Sequence, residues 1–154
     1  MATTGNSAFN QRTHQNLTPV AQDMQAVATP TEFVYQYDMD ENGALFYLAT
    51  YGRKRHWQNP HTSTQIVSFA SSVGAGRVED FVGRVATNCR TANEPMSYFG
   101  VDLGAERKML PTCYTFRNRN SSTHVMLNWH FEASNDKVNW TLLDRRVYMT
   151  GLAD

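Results

Sequence analysis

The 154-residue chain holds only two cysteines, Cys89 and Cys113, and it carries no charge excess, since 14 Lys and Arg balance 14 Asp and Glu. So few cysteines argue against a disulfide-stapled secreted scaffold and favour the reducing cytoplasm, with both thiols expected as small buried side chains. Neutrality argues against binding driven by nucleic-acid phosphates, which needs a basic excess or stripe. No apolar run reaches membrane-spanning length, and the N-terminus lacks the hydrophobic region of a signal peptide. Neither a nucleic acid nor a membrane is therefore an expected partner. Without a secretion route, the sequons at Asn16, Asn120 and Asn139 carry little weight.

Signatures of catalysis are missing too. There is no Gly-x-Ser-x-Gly, phosphate-cradling glycine loop, His-Glu-x-x-His or Cys-x-x-Cys. His56 and His61 stand five apart without a third ligand at metal-site spacing. The expectation is a protein that is not an enzyme and carries no metal or cofactor.

Residues 1–30 are rich in Ala, Thr, Gln, Asn and Ser and poor in bulky apolar side chains. Such a stretch buries too little surface to offset the entropy of ordering, so it reads as a disordered tail or linker, with one brief helical turn after Thr18-Pro19. A domain is expected over residues 31–154. Its clearest signal is period-2 alternation, which marks antiparallel strands with one face in a core. It appears at residues 98–104, 111–117 and 127–134, where Leu127, Trp129 and Phe131 share a face. The polar Asn135-Asp136-Lys137 turn follows, and another strand starts at Trp140. Residues 65–72 read as a strand, and Val78, Phe81 and Val82 share a face at helical spacing, predicting a short helix or turn. Residues 33–37 and 44–50 read as the strands of a hairpin. Between them, Asp38-x-Asp-x-Asn-Gly43 has the opening of an EF-hand calcium loop, but Ala49 stands where the bidentate glutamate is required, so a plain turn is expected.

These motifs together carry a resemblance. An aromatic-x-Val-Asp-Leu-Gly strand ending at Gly104, Tyr-Thr-Phe-Arg117, and Asn-Trp129-x-Phe-x-x-Ser-x-Asp-x-x-x-Trp140-x-x-Leu143 are similar to the discoidin or coagulation-factor-5/8 type C domain. Asp38-x-Asp-x-Asn-Gly43, Trp57-Gln-Asn-Pro60 and Arg77-x-Glu-Asp80 resemble its intracellular branch, found beside BTB/POZ domains and in HECT-type ubiquitin ligases. The resemblance implies an all-β fold, an antiparallel jelly-roll β-sandwich of the galactose-binding-like superfamily. The strand register read here also expects Trp129 and Trp140 to be buried. Domains of that family continue well beyond the Trp-x-x-Leu strand. A chain stopping at Asp154 is then expected to lack closing strands, and to be a fragment or an oligomer whose partner covers an apolar edge.

The functional expectation rests on loops at one end of that sandwich. Residues 51–60 bring three cations and a histidine up to a tryptophan within an irregular segment, and Trp with Arg is the composition of binding hot spots. Trp57 has two readings, a core plug or the floor of a site. Arg53, His56, Trp57, Asn59, Arg90, Arg117, Arg119 and His124 are the candidate ligand-binding residues. Arg117 has a second reading, as a structural ion-pair residue facing a carboxylate such as Asp102. Clustered guanidinium groups suit a carboxylate-bearing or phosphorylated peptide. The expected function is a non-catalytic binding module recruiting a peptide or protein partner, as in ubiquitin-ligase substrate receptors. The alternative is a lectin-like, carbohydrate-binding module using the same loops, and a third reading is a structural interaction domain in a larger assembly.

Overall fold

The computed structural model describes residues 30–118 and 126–148 of the chain. Nearly all of them lie in one contact unit, Glu32–Asp154. Regular structure among them is mostly strand with little helix: a short helix α1 (Ala44–Ala49), strand β1 (Val67–Ala70), a 3-10 helix (Val78–Val82), then β2 (Phe99–Asp102), β3 (Trp129–Ala133) and β4 (Thr141–Arg146). Strands β1 and β2 form one antiparallel pair and β3 and β4 another.

The expected hairpin of residues 33–37 and 44–50 does not form. Residues 33–36 join no strand, and Ala44–Ala49 is helical. A continuous apolar run of this length has no periodicity to separate strand from helix, and two alanines and two leucines in six residues are strong helix formers. The preceding acidic turn is organised by Asp40, whose carboxylate accepts the backbone N–H of Gln36 at 2.9 Å and of Asn42 at 3.1 Å. These donors hold the Asp40 carboxyl below its usual range. Phe33 packs its ring on Tyr47 of α1 at 5.3 Å.

The small core sits where α1 meets the segment leading into β1 and the 3-10 helix. Ala49, Ile66 and Val82 are its buried apolar side chains, with Pro60, Thr50 and Ser68 alongside. The helix expected near residues 78–82 is present, and its first turn is closed by Asp80, which accepts the Arg77 N–H at 3.0 Å. Phe81 then stacks on Phe99 of β2 at 4.7 Å. Across the β1–β2 pair, Phe69 lies opposite Gly100, and a Cβ there would collide with its ring. Only glycine permits that aromatic to lie flat over its neighbour strand.

The second sheet keeps the alternation read from the sequence. Trp129, Phe131 and Ala133 are half-buried while His130 and Glu132 face solvent. Residues 111–118 alternate in the same way but join no ladder; they lean on β3 through side chains. Tyr114 stacks on Phe131 at 4.4 Å, and Phe116 meets Trp129 edge-on at 4.9 Å. Trp129 Nε1 donates to the Tyr114 hydroxyl at 2.8 Å, and that hydroxyl donates to Asp144 Oδ2 at 2.6 Å.

Three burial expectations fail. Trp140 is 46% exposed, standing just before β4, whose neighbouring Leu142 and Leu143 are also about half exposed. Trp129 is half-buried, with Phe116 edge-on against its ring. Cys113 is exposed and Cys89 partly so, since both lie in irregular segments outside the core.

Candidate functional site

The segment expected to carry function begins where α1 ends. Thr50 acts as its hub: the hydroxyl donates to Phe46 O at 2.9 Å and accepts the Arg53 N–H at 3.1 Å. Its carbonyl accepts the N–H groups of Lys54 and Arg55. The chain turns there through three successive left-handed residues, Tyr51 (φ 51°), Gly52 (φ 72°) and Arg53 (φ 65°). Glycine takes that conformation freely, whereas Tyr51 and Arg53 hold it against a steric cost that concentrates at functional sites.

The turn folds the loop back over α1 and opens a shallow cleft of about 340 Å³, lined by Glu41, Phe46, Thr50, Arg53, Arg55, His56 and Trp57. Phe46 and the half-buried Trp57 supply apolar surface to it, so Trp57 is not a fully buried core plug. Arg55 lies over the Tyr51 ring at 4.7 Å. Arg53 donates from Nη2 to Glu41 O and to Asn42 Oδ1, both at 3.0 Å, which fastens the acidic turn to the loop. Part of its donor capacity is thereby committed to the fold.

Asn59 is a clip rather than an open contact. Its amide donates to Glu79 O at 2.8 Å and its oxygen accepts the His61 N–H at 2.9 Å. That clip ties the loop to the 3-10 helix, and just after the helix Arg84, itself not a lining residue, contacts two residues that line the cleft. The Arg84 guanidinium lies 5.0 Å over the Phe46 ring and pairs with Glu41 at 2.9 Å. His61 is structural as well, with Nδ1 accepting the Ser68 N–H at 2.9 Å.

The structure therefore brings Arg53, His56 and Trp57 together, while Arg90 and Arg117 are not among the residues lining this cleft. Arg90 is exposed where its backbone bridges Ala75. Arg117 is exposed beside Phe116, and the ion pair expected with Asp102 is absent. Asp102 pairs instead with Lys137 of the β3–β4 turn at 2.5 Å, because that turn carries the amine to the end of β2. The lysine, with the Gly104 N–H, keeps the Asp102 carboxyl below its usual range. Arg119 and His124 lie outside the described residues. Sequence reasoning missed Glu41, Phe46 and Arg84. The last of these lies 43 residues from Glu41, and no local pattern encodes that approach. Arg55 had a local signal, four residues after Tyr51.

No helix among the described residues is long and apolar enough to cross a membrane, and no group of three or more His, Cys, Asp or Glu side chains there is placed to hold a metal. No protein-family model matches the chain, and no solved structure matches it. Several curated proteins are similar to it, among them the following three. E3 ubiquitin-protein ligase Ufd4 of Drosophila melanogaster is 33% identical over 126 residues, and E3 ubiquitin-protein ligase hecd-1 of Caenorhabditis elegans is 29% identical over 125 residues. A BTB/POZ domain-containing protein of Arabidopsis thaliana is 30% identical over 126 residues. Each match takes in 76–77% of this chain but only 4%, 5% and 15% of the respective relatives. What the chain shares with two ubiquitin ligases and a BTB/POZ protein is thus one small segment of much longer proteins.

Proposed function

We propose that this chain is a non-catalytic, cytoplasmic binding module that recruits a peptide or protein partner in a ubiquitin-ligase context. The observation that carries the reading is the cleft beside Trp57, where an aromatic floor is ringed by Arg53, Arg55 and His56. Such a surface suits an acidic segment of a partner, through apolar contact and charge-assisted hydrogen bonds. The segment shared with E3 ubiquitin ligases supports the context. The two free thiols suit a reducing compartment. Nothing nucleophilic is paired with a base in the cleft, and the Thr50 hydroxyl is held by backbone groups. We further propose that the two antiparallel pairs belong to a jelly-roll sandwich of the galactose-binding-like type. The inward alternation of β3 supports this assignment. A lectin-like reading loses one of its polar groups, because the Asn59 amide is already engaged.

The test is a fluorescence titration of the chain with a degenerate library of acidic peptides, beside a glycan array. Saturable peptide binding that disappears in Trp57→Ala and weakens in the doubly substituted Arg55→Ala, His56→Ala protein supports the proposal. Saturable sugar binding lost in Trp57→Ala, with no peptide binding, replaces it with the lectin-like alternative.

A further inference from the structure

The cleft already contains an anion. Glu41 lines it and pairs with Arg84, which adjoins the cleft by lying over the ring of Phe46, another lining residue. Resting on the peptide-binding reading above, we infer that Glu41 is a displaceable stand-in for the ligand. Arg84 is then the anchoring cation, and the group that displaces Glu41 is a phosphorylated side chain of the partner peptide.

Three observations carry the exchange. First, the pair is exposed, with Arg84 at 36% and Glu41 at 58% side-chain accessibility. An ion pair that open to water contributes about 0–1 kcal/mol, so its rupture is cheap. Second, the two partners are held unequally. The Arg84 guanidinium has a second contact besides Glu41, lying 5.0 Å over the Phe46 ring, which favours its staying in place when the carboxylate leaves. The Glu41 backbone is pinned through its carbonyl by Arg53, so only the glutamate side chain has to swing away. Third, a second stacked guanidinium, that of Arg55 over Tyr51, borders the same cleft.

This arrangement selects by charge. A peptide carboxylate that replaces Glu41 exchanges one single negative charge for another and gains little. A phosphate brings about −1.5 to −2 charges and three acceptor oxygens, enough to engage Arg84 and Arg55 together. Glu41 thereby acts as a filter that raises the threshold for singly charged ligands. It is a specificity-determining residue rather than a structural ornament of the loop.

The experiment compares two degenerate peptide libraries that differ only at the central position, phosphoserine in one and glutamate in the other. Affinities are measured for the wild-type chain, Glu41→Gln, Arg84→Lys and Arg84→Ala, with Arg145→Ala as a charge-matched control on β4. The wild type is expected to favour phosphoserine at least tenfold. Glu41→Gln should bind the glutamate library up to about fivefold more tightly, the most that release of an exposed ion pair supplies, and so narrow the preference. Arg84→Ala should lose phosphopeptide affinity, Arg84→Lys should recover it only in part, and Arg145→Ala should match the wild type. The Arg84 Nε–H resonance should shift on phosphopeptide addition, and in Glu41→Gln without any ligand. An unchanged preference in Glu41→Gln, or unchanged phosphopeptide affinity in Arg84→Ala, overturns the exchange while leaving the binding module standing if Trp57→Ala still abolishes binding. Failure of the wild type to bind either library overturns both.

Discussion

The two ends of the described chain are built on different terms. From α1 to β2, a small core forms and loop polar groups are clipped to backbone: Ala49, Ile66 and Val82 are buried, while Thr50, Asn59 and His61 hold the segments around them. In the β3–β4 sheet, rings stack on one face and the other strand stays open. Leu142, Leu143 and Trp140 are 50%, 45% and 46% exposed. Both ends carry strong hydrophobic patterning in sequence. A two-stranded sheet is marginal until a third layer covers it, so patterning marks a strand without securing its burial. The candidate site lies on the well-packed end, where a rigid frame holds left-handed turn residues in place.

Substitutions can break this contrast, and the largest effect is expected in the core. Ile66→Ala, at a residue 3% exposed, should lower stability by about 2–4 kcal/mol in a urea melt. A loss below about 1 kcal/mol would show that the well-packed end is not packed. A smaller effect, about 1 kcal/mol, is expected from Tyr114→Phe, which removes the hydroxyl shared by Trp129 and Asp144. It should act on the β3–β4 end alone, so hydrogen exchange should rise there and stay unchanged at α1.

A third effect depends on pH. Asp102 is lowered by Lys137, and Asp144 by Tyr114 and then Arg146, so their folded values lie below the unfolded value near 3.8. Such groups contribute fully at neutral pH and lose that contribution as pH falls below about 5 toward the folded values. The melting temperature should therefore fall on acidification through this range. Asp102→Asn should lower it at neutral pH and flatten the acid dependence. A steeper acid dependence in Asp102→Asn would show that the Asp102 carboxyl is not held below its unfolded value. The smallest effect is expected on the open strand: Leu143→Ala should stay within about 0.5 kcal/mol of the wild type. A core-sized loss would mean that β4 is covered in solution.

Much of the second sheet was legible because alternation is a local signal. Trp129 and Phe131 face inward and His130 outward, as period 2 requires. Helix α1 was not legible. Ala44–Ala49 is apolar throughout, and its choice of helix follows from docking Ala49 into the core and Phe33 onto Tyr47. Of the candidate site, the stretch from Arg53 to Trp57 stood out by composition. Asn59 was read as a contact because an exposed amide and a clipped one look alike in sequence.

By itself, the sequence determined that residues 127–134 alternate about a strand, which loop concentrates cations beside a tryptophan, and that the chain carries no net charge. These properties depend on neighbours a few residues apart, and alternation and composition report them directly. Only the tertiary structure decided that Asp102 pairs with Lys137 rather than Arg117, and that Trp140 stays open. It also decided that Arg84 meets Glu41 over Phe46. Each of these outcomes depends on which segments approach across tens of residues, and that approach is set by packing of the whole unit, which no local pattern records.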